Sequence, residues 1–388
     1  MTLPLGKRVA FSLGLVLLLL VGLEIGTRLL YALRDPLLAL VGRPPREMFL
    51  DPYEMPDPRY PGHWVMRPGF SMTLREVVDA KRQADKFVGV NDLEETARRH
   101  GIGPDDVVFR INRDGFKGPE LDATRSRPRI LAIGDSCTAG TQLDAFTYSR
   151  SLERELAARG VAAEVVNGGV EGYKPDDVVV RLGDFEALHP DWTIVYIGWN
   201  ALFDGWEGRT VLGRNLATVR LVQRIGLALA PKRALRDEAL DAFTKPKRPV
   251  RDAPEVRARD DYVPTFLPDV EHIVEAMQAG GSRVAIATLP GLYVTDEAPT
   301  PEALALGHLP SYTNNPYELA KMTERYDTLL RELAERHGLL LIDLERWADE
   351  ALAPRHDWFV DSVHPTAEGQ ARIGAFMAQV LAPELGKP

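Results

Sequence analysis

The sequence predicts an α/β protein, a three-layer α/β/α arrangement around a five-stranded parallel sheet. Three observations predict it. After about residue 126, short apolar runs alternate with amphipathic helical stretches, the pattern of strand–helix–strand units. The first three runs stop at Gly134-Asp135-Ser136, Asn167-Gly168-Gly169 and Gly198-Trp199-Asn200, turn-forming residues where a strand should end. The chain has 388 residues, 45% of them hydrophobic and 27% charged, which is enough for a substantial core with additions.

At the N-terminus, Lys7 and Arg8 precede the uncharged run Val9 to Leu23, and Glu24 and Arg28 follow at i, i+4 spacing. A membrane span needs about 20 apolar residues. The run becomes long enough if Glu24 and Arg28 pair at the far interface. Residues 1–33 are therefore expected to be a transmembrane anchor, with a cleaved signal peptide as the alternative. Either reading leaves the N-terminus cytoplasmic during export and puts the rest in the periplasm or outside the cell. Residues 34–125 carry Pro44, Pro45, Pro52, Pro56, Pro58, Pro61 and Pro68 among Tyr53, Tyr60, Trp64 and Phe70. Prolines break helices and aromatics offer contact area, so an extended segment lying against a globular body is expected. Leu74 to His100 reads as a charged, helical surface excursion, Val107 to Ile111 as a short strand, and Asn112-Arg113-Asp114-Gly115 as a turn.

The α/β region, 126–388, follows. Strand Arg129–Ile133 leads to a helix at Tyr148–Arg159, strand Ala163–Val166 to a helix near Asp176–Leu188, and then comes strand Trp192–Ile197. A helix near Val270–Ala279 precedes strand Val284–Thr288. Another at Glu318–His337 precedes strand Leu339–Ile342, and a last helix runs from about Ala367 to Leu381. Five strands suit the order 2-1-3-4-5, whose switch point lies between strands 1 and 3. An insertion at about 205–265 interrupts the rhythm. Between Arg209 and Arg251 it holds eleven Lys/Arg against three Asp/Glu, in a chain whose net charge is -9. Its apolar stripe fits a lid, a membrane-surface contact or a plain surface insertion. The acidic balance of the whole chain speaks against nucleic-acid binding. One cysteine rules out an intramolecular disulfide, and no Cys/His cluster has metal-ligand spacing, so no metal or cofactor is expected.

Chemistry gathers at one sheet edge. Ser136 follows strand 1, Gly169 strand 2, Asn200 strand 3, and Asp361-Ser362-Val363-His364 strand 5. A serine hydroxyl is a poor nucleophile until a base takes its proton, and histidine has a suitable pKa. Asp361, three residues before His364, can orient the imidazole and stabilise its charged form. The amides of Ser136 and Gly169 and the side-chain NH2 of Asn200 are candidate donors for an oxyanion hole. Each part has a plainer reading: a glycine turn, a capping asparagine, a structural loop histidine. His356-Asp357 is a competing pair and Asp343 a competing acid. Cys137 reads as a small packing residue.

These blocks, with Asp361-Ser362-Val363-His364-Pro365, resemble those of the SGNH (GDSL-type) hydrolases over about residues 126–385. Ile111-Asn112-Arg113-Asp114-Gly115-Phe116-Lys117-Gly118 resembles the lead-in of membrane-anchored bacterial members. The resemblance implies a flavodoxin-like fold, no metal, and ester or thioester substrates. It also implies Ser136 as nucleophile, His364 as base, Asp361 as its partner, and Gly169 and Asn200 as oxyanion donors. Ala201 departs from the pattern where many members carry Asp, and Cys137 where many carry Leu. The expected activity is serine ester hydrolysis, removing acyl (acetyl) groups from an envelope or extracellular glycan or another acyl ester. An O-acyltransferase on an exported polysaccharide and a non-enzymatic envelope binding protein are the alternatives.

Overall fold

The computed structural model describes residues 5–40, 51–60, 63–83, 89–204, 262–310 and 313–385. The basic segment expected at about 205–265 lies outside the described residues as far as residue 261. The chain divides into two compact units, one containing residues 5–40, 56–60 and 63, the other residues 51–55, 64–83, 89–204, 262–310 and 313–385.

In the first unit, α1 (Leu5–Leu40) is a single helix. Glu24 and Arg28 pair along it at 2.8 Å, as their spacing predicts. Among the described residues no helix is long and apolar enough to cross a membrane. The uncharged run Val9 to Leu23 that predicts a span lies within α1, part of it beyond the described side chains.

The second unit is built on a five-stranded, all-parallel sheet of β5 (Arg129–Gly134), β6 (Glu164–Asn167), β7 (Trp192–Tyr196), β8 (Arg283–Ala287) and β9 (Leu340–Ile342). Its order is β6-β5-β7-β8-β9, the predicted 2-1-3-4-5. Ile130 pairs with Val165 on one side and Trp192 on the other. Every residue of β5 and β7 is buried, as expected of parallel strands covered on both faces. α5 (Tyr148–Ala158) packs on α13 (Ala367–Leu385) so closely that a Cβ on Gly374 would lie 2.4 Å from the Tyr148 carbonyl oxygen. α9 (Leu267–Ala279) packs on α6 (Pro175–Val180) and α7 (Leu182–Glu186). These last two replace the single helix expected near Asp176–Leu188. The chain leaves helical geometry at Arg181, and its guanidinium lies over the Phe185 ring.

Residues 64–125 belong to the same unit as the sheet. β1 (Glu54–Pro56) and β2 (Trp64–Met66) form one small sheet, and β3 (Ser71–Thr73) and β4 (Val107–Arg110) another. The stretch expected to be a surface excursion forms two helices, α2 (Leu74–Gln83) and α3 (Val90–Arg99). Their inner faces bury Val77, Val78, Val90, Leu93 and Ala97 in the core. Charge density on the outer faces hid that stripe.

Candidate active site

β5 delivers the serine. Its chain turns at Gly134 and Asp135 into the four-residue helix α4 (Ser136–Ala139), so Ser136 stands at the carboxyl edge of the sheet. Gly134 is required sterically: a Cβ there would come within 2.1 Å of Thr138 Oγ1 and of the Tyr196 carbonyl oxygen. Asp135 caps α4, its Oδ1 accepting from the Cys137 N–H at 2.9 Å, the usual role of aspartate at that position. It is fully buried, and burial pushes its carboxyl up to about 6. Below, the Tyr148 hydroxyl donates to Thr138 Oγ1, which donates to the Tyr196 carbonyl, tying α4 to β7.

The Asp361–His364 turn brings an imidazole to this point. Asp361 Oδ1 accepts from the backbone N–H groups of Val363 and His364, both at 2.8 Å. Its Oδ2 lies 2.7 Å from His364 Nδ1, and His364 Nε2 lies 2.8 Å from Ser136 Oγ. Burial alone would raise the Asp361 carboxyl, but the charge and hydrogen bond of His364 outweigh it and the net shift is downward. Burial likewise opposes the His364 imidazolium. Asp361 more than compensates, with Asp135 and Glu171 adding to it, and His364 ends above its ordinary value. A second imidazole approaches the same carboxylate: His308 Nδ1 is 3.8 Å from Asp361 Oδ2. No sequence signal pointed to it. The competing residues are occupied elsewhere. Asp343 receives two hydrogen bonds from Arg331, and His356 bonds Thr300. Cys137 is fully buried, its Sγ 3.4 Å from the Val363 carbonyl oxygen, and burial pushes its thiol well up, consistent with packing.

The predicted oxyanion donors fare differently. Ser136 opens α4, so its N–H is one that no intrahelical carbonyl can reach. Asn200, in the first turn of α8 (Trp199–Asp204), gives one Nδ2 hydrogen to the Tyr173 carbonyl at 3.0 Å, and an amide NH2 has a second. Gly169 needs correction. It is buried, and its N–H donates to Asn167 Oδ1 at 3.0 Å. A Cβ there would sit 2.2 Å from the Ala139 nitrogen. Its lack of a side chain lets two backbones touch; its amide is spent inside the loop. Asn167 bonds onward from Nδ2 to the Thr138 carbonyl and Ser149 Oγ. Gly172 was missed. It is exposed, has a left-handed φ of 77°, and its N–H has no acceptor among the described residues. The next carbonyl along the loop, that of Tyr173, is the one held by Asn200.

Lys117, from the predicted lead-in, is buried beneath α4. Its Nζ donates to the carbonyls of Ala139 (2.9 Å) and Thr141 (2.7 Å) and lies 4.8 Å from the Phe109 ring centroid. One group among the described residues has spacing suited to a metal ion: Glu271, Glu275 and His337. It lies on α9 and the end of α11 (Pro316–His337), and Glu271 Oε1 is already bonded by Arg336 at 2.6 Å and His337 at 2.8 Å.

Residues 132–372 match the model of the GDSL-like Lipase/Acylhydrolase family. No curated protein matches the chain. Among solved structures, it is similar to a lipase/acylhydrolase from Enterococcus faecalis (17% identity, 66% of this chain and 96% of that one, TM-score 0.39). It is also similar to an acetylxylan esterase from Geobacillus stearothermophilus (16%, 67% and 95%, TM-score 0.39). A third is an alpha/beta hydrolase from the metagenome of Lake Arreo, Spain (18%, 67% and 97%, TM-score 0.39). The family match covers well over half of the chain and takes in Ser136, Asn200, Asp361 and His364; the chain belongs to the GDSL-like lipase/acylhydrolase family and is a carboxylic ester hydrolase.

Proposed function

We propose that the enzyme hydrolyses its ester through a Ser136-bound acyl intermediate. The observation that carries this reading is the unbroken hydrogen-bonded chain from Ser136 Oγ through His364 to Asp361. His364 Nε2 takes the Ser136 proton as Oγ bonds to the ester carbonyl carbon, and Asp361 holds the resulting imidazolium. Collapse breaks the bond to the alcohol, which leaves with the proton from His364. Water then repeats the sequence on the acyl-serine and regenerates the hydroxyl. The negative oxygen formed in each half-reaction is received by the Ser136 N–H, the free Asn200 Nδ2 hydrogen and, in place of Gly169, the Gly172 N–H.

The substrate we propose is an acyl ester, such as an acetyl group, on an envelope or extracellular glycan. Location supports it: a basic start and an uncharged run inside α1 suit an anchor that keeps residues 1–8 cytoplasmic and exports the rest. Leu17 to Leu20 on that helix are each more than half exposed, as lipid-facing residues would be. The same location fits the membrane-anchored branch of the family. The test is hydrolysis of p-nitrophenyl acetate and butyrate by the full chain beside Ser136→Ala and His364→Ala, with fractionation of cells to locate the protein. Activity surviving in Ser136→Ala sinks the mechanism, and recovery in the soluble cytoplasmic fraction sinks the anchor.

A further inference from the structure

We propose that Trp64, in the region ahead of the α/β sheet, is a positioning residue that aims the oxyanion-hole amide of Gly172. The inference rests on the reading of Gly172 given above. The Trp64 indole Nε1–H donates to the Glu171 carbonyl oxygen at 3.0 Å. That carbonyl and the Gly172 N–H are two ends of one peptide unit. A trans peptide is planar with its C=O and N–H pointing in opposite directions, so fixing the carbonyl fixes the N–H. A hydrogen bond at the oxygen also polarises the amide and strengthens the donor at its other end.

The rest of the contact is built to hold that plane. The Trp64 ring lies against Gly172, its Cζ2 3.1 Å from where a Cβ would be. It meets the Tyr173 ring edge-on, with centroids 5.3 Å apart and planes at 80°. The Tyr173 hydroxyl donates back to the Trp64 carbonyl, so strand β2 and the loop grip each other from both ends. Glu171 is anchored separately: its Oε1 accepts from the Tyr53 hydroxyl at 2.8 Å and from Gln142 Nε2 at 3.1 Å. Asn200 Nδ2 holds the Tyr173 carbonyl on the far side. Residues 171–173 are thus clamped by Tyr53 and Trp64, residues that precede every catalytic block. The loop they clamp carries the exposed Gly172 amide, which has no acceptor among the described residues. Oxyanion donors act by being preorganised, so a freely rotating peptide at this point costs rate even though the donor is still present.

Trp64→Phe keeps one six-membered aromatic ring against the loop and removes the five-membered ring with its Nε1–H. With p-nitrophenyl acetate and the full chain, kcat is expected to fall about tenfold while KM stays within about twofold, because only the transition state carries the oxyanion. Affinity for a phosphonate or boronate transition-state analogue should fall by the same factor as kcat. Tyr173→Phe, which loosens the grip of the loop on β2 but leaves the indole in place, should move both quantities the same way by less. It carries the test if Trp64→Phe does not fold. A rise in KM with unchanged kcat makes Trp64 a wall of the substrate site and overturns the inference, as does turnover indifferent to both variants. Hydrolysis that does not depend on Ser136 overturns the proposed function and this inference with it. Ser136-dependent hydrolysis indifferent to Trp64 overturns this inference alone.

Discussion

Two loops at the same sheet edge are built in opposite ways. The Asp361–His364 loop is held by its own residues: one carboxylate accepts from two backbone N–H groups two and three positions on and grips the ring of the second. The loop after β6 is held from outside, by Tyr53 and Trp64 more than a hundred residues earlier and by Asn200 after the next strand. In the mechanism proposed above, the first loop supplies the base and the second an oxyanion amide. Proton transfer would then be assembled locally and charge stabilisation by long-range packing, and the two halves should fail differently when disturbed.

The largest effect belongs to the local half. Ser136→Ala should lower kcat/KM by about 10⁴-fold or more without loss of folding, as removal of a nucleophile does elsewhere; thermal melting beside initial rates checks both. Next, Asp361→Asn should cost about 10³- to 10⁴-fold and shift the pH profile. His364 must be neutral to act as base, and in the wild type its pKa is raised, so the acid limb of kcat/KM should lie above the pH where an ordinary histidine titrates. Without the Asp361 charge, burial of the imidazole dominates and the limb should move to lower pH. A limb that stays in place separates Asp361 from the base. Asn200→Ala should cost about 10²- to 10³-fold in kcat, since it removes one oxyanion donor and releases the Tyr173 carbonyl in the loop that carries another.

The two glycines give the sharpest discrimination at the smallest catalytic cost. Gly169→Ala forces a methyl against the α4 backbone and should destabilise folding by about 3 kcal/mol or more. Gly172→Ala places a side chain at positive φ, costing about 1–2 kcal/mol of local strain. Its main mark should be a lower kcat with folding retained. Denaturant melts and steady-state rates on both variants check this, and the reverse pattern would return the oxyanion role to Gly169.

The same contrast explains what could be read from the sequence. Asp361 and His364 are three residues apart and Ser136 directly follows a buried strand, so periodicity and local turn chemistry nominate them, with His356-Asp357 and Asp343 as rivals that only the three-dimensional contacts set aside. The parallel sheet follows from the alternation of runs that stop at turn residues, and five strands suit the order found. Which of Gly169 and Gly172 offers a free amide depends on where Asn167 sends its side chain, and that is decided by Thr138 and Ser149 across the loop. Trp64 and Lys117 act on carbonyl groups, which every residue has, so no pattern of side chains marks their targets. The buried faces of α2 and α3 were hidden because ten-residue helices dense in charge show only two or three apolar positions each.

Lys117 sets a limit on how this enzyme can be inherited in pieces. The family match begins at residue 132, which invites the view that evolution shuffles the enzyme as a cassette from that point. A recombination break there leaves the Ala139 and Thr141 carbonyls without the ammonium that now satisfies them in a buried place. Any front exchanged onto this chain must therefore bring its own cation to that spot, so the unit that α4 depends on starts ahead of the stretch that names the family.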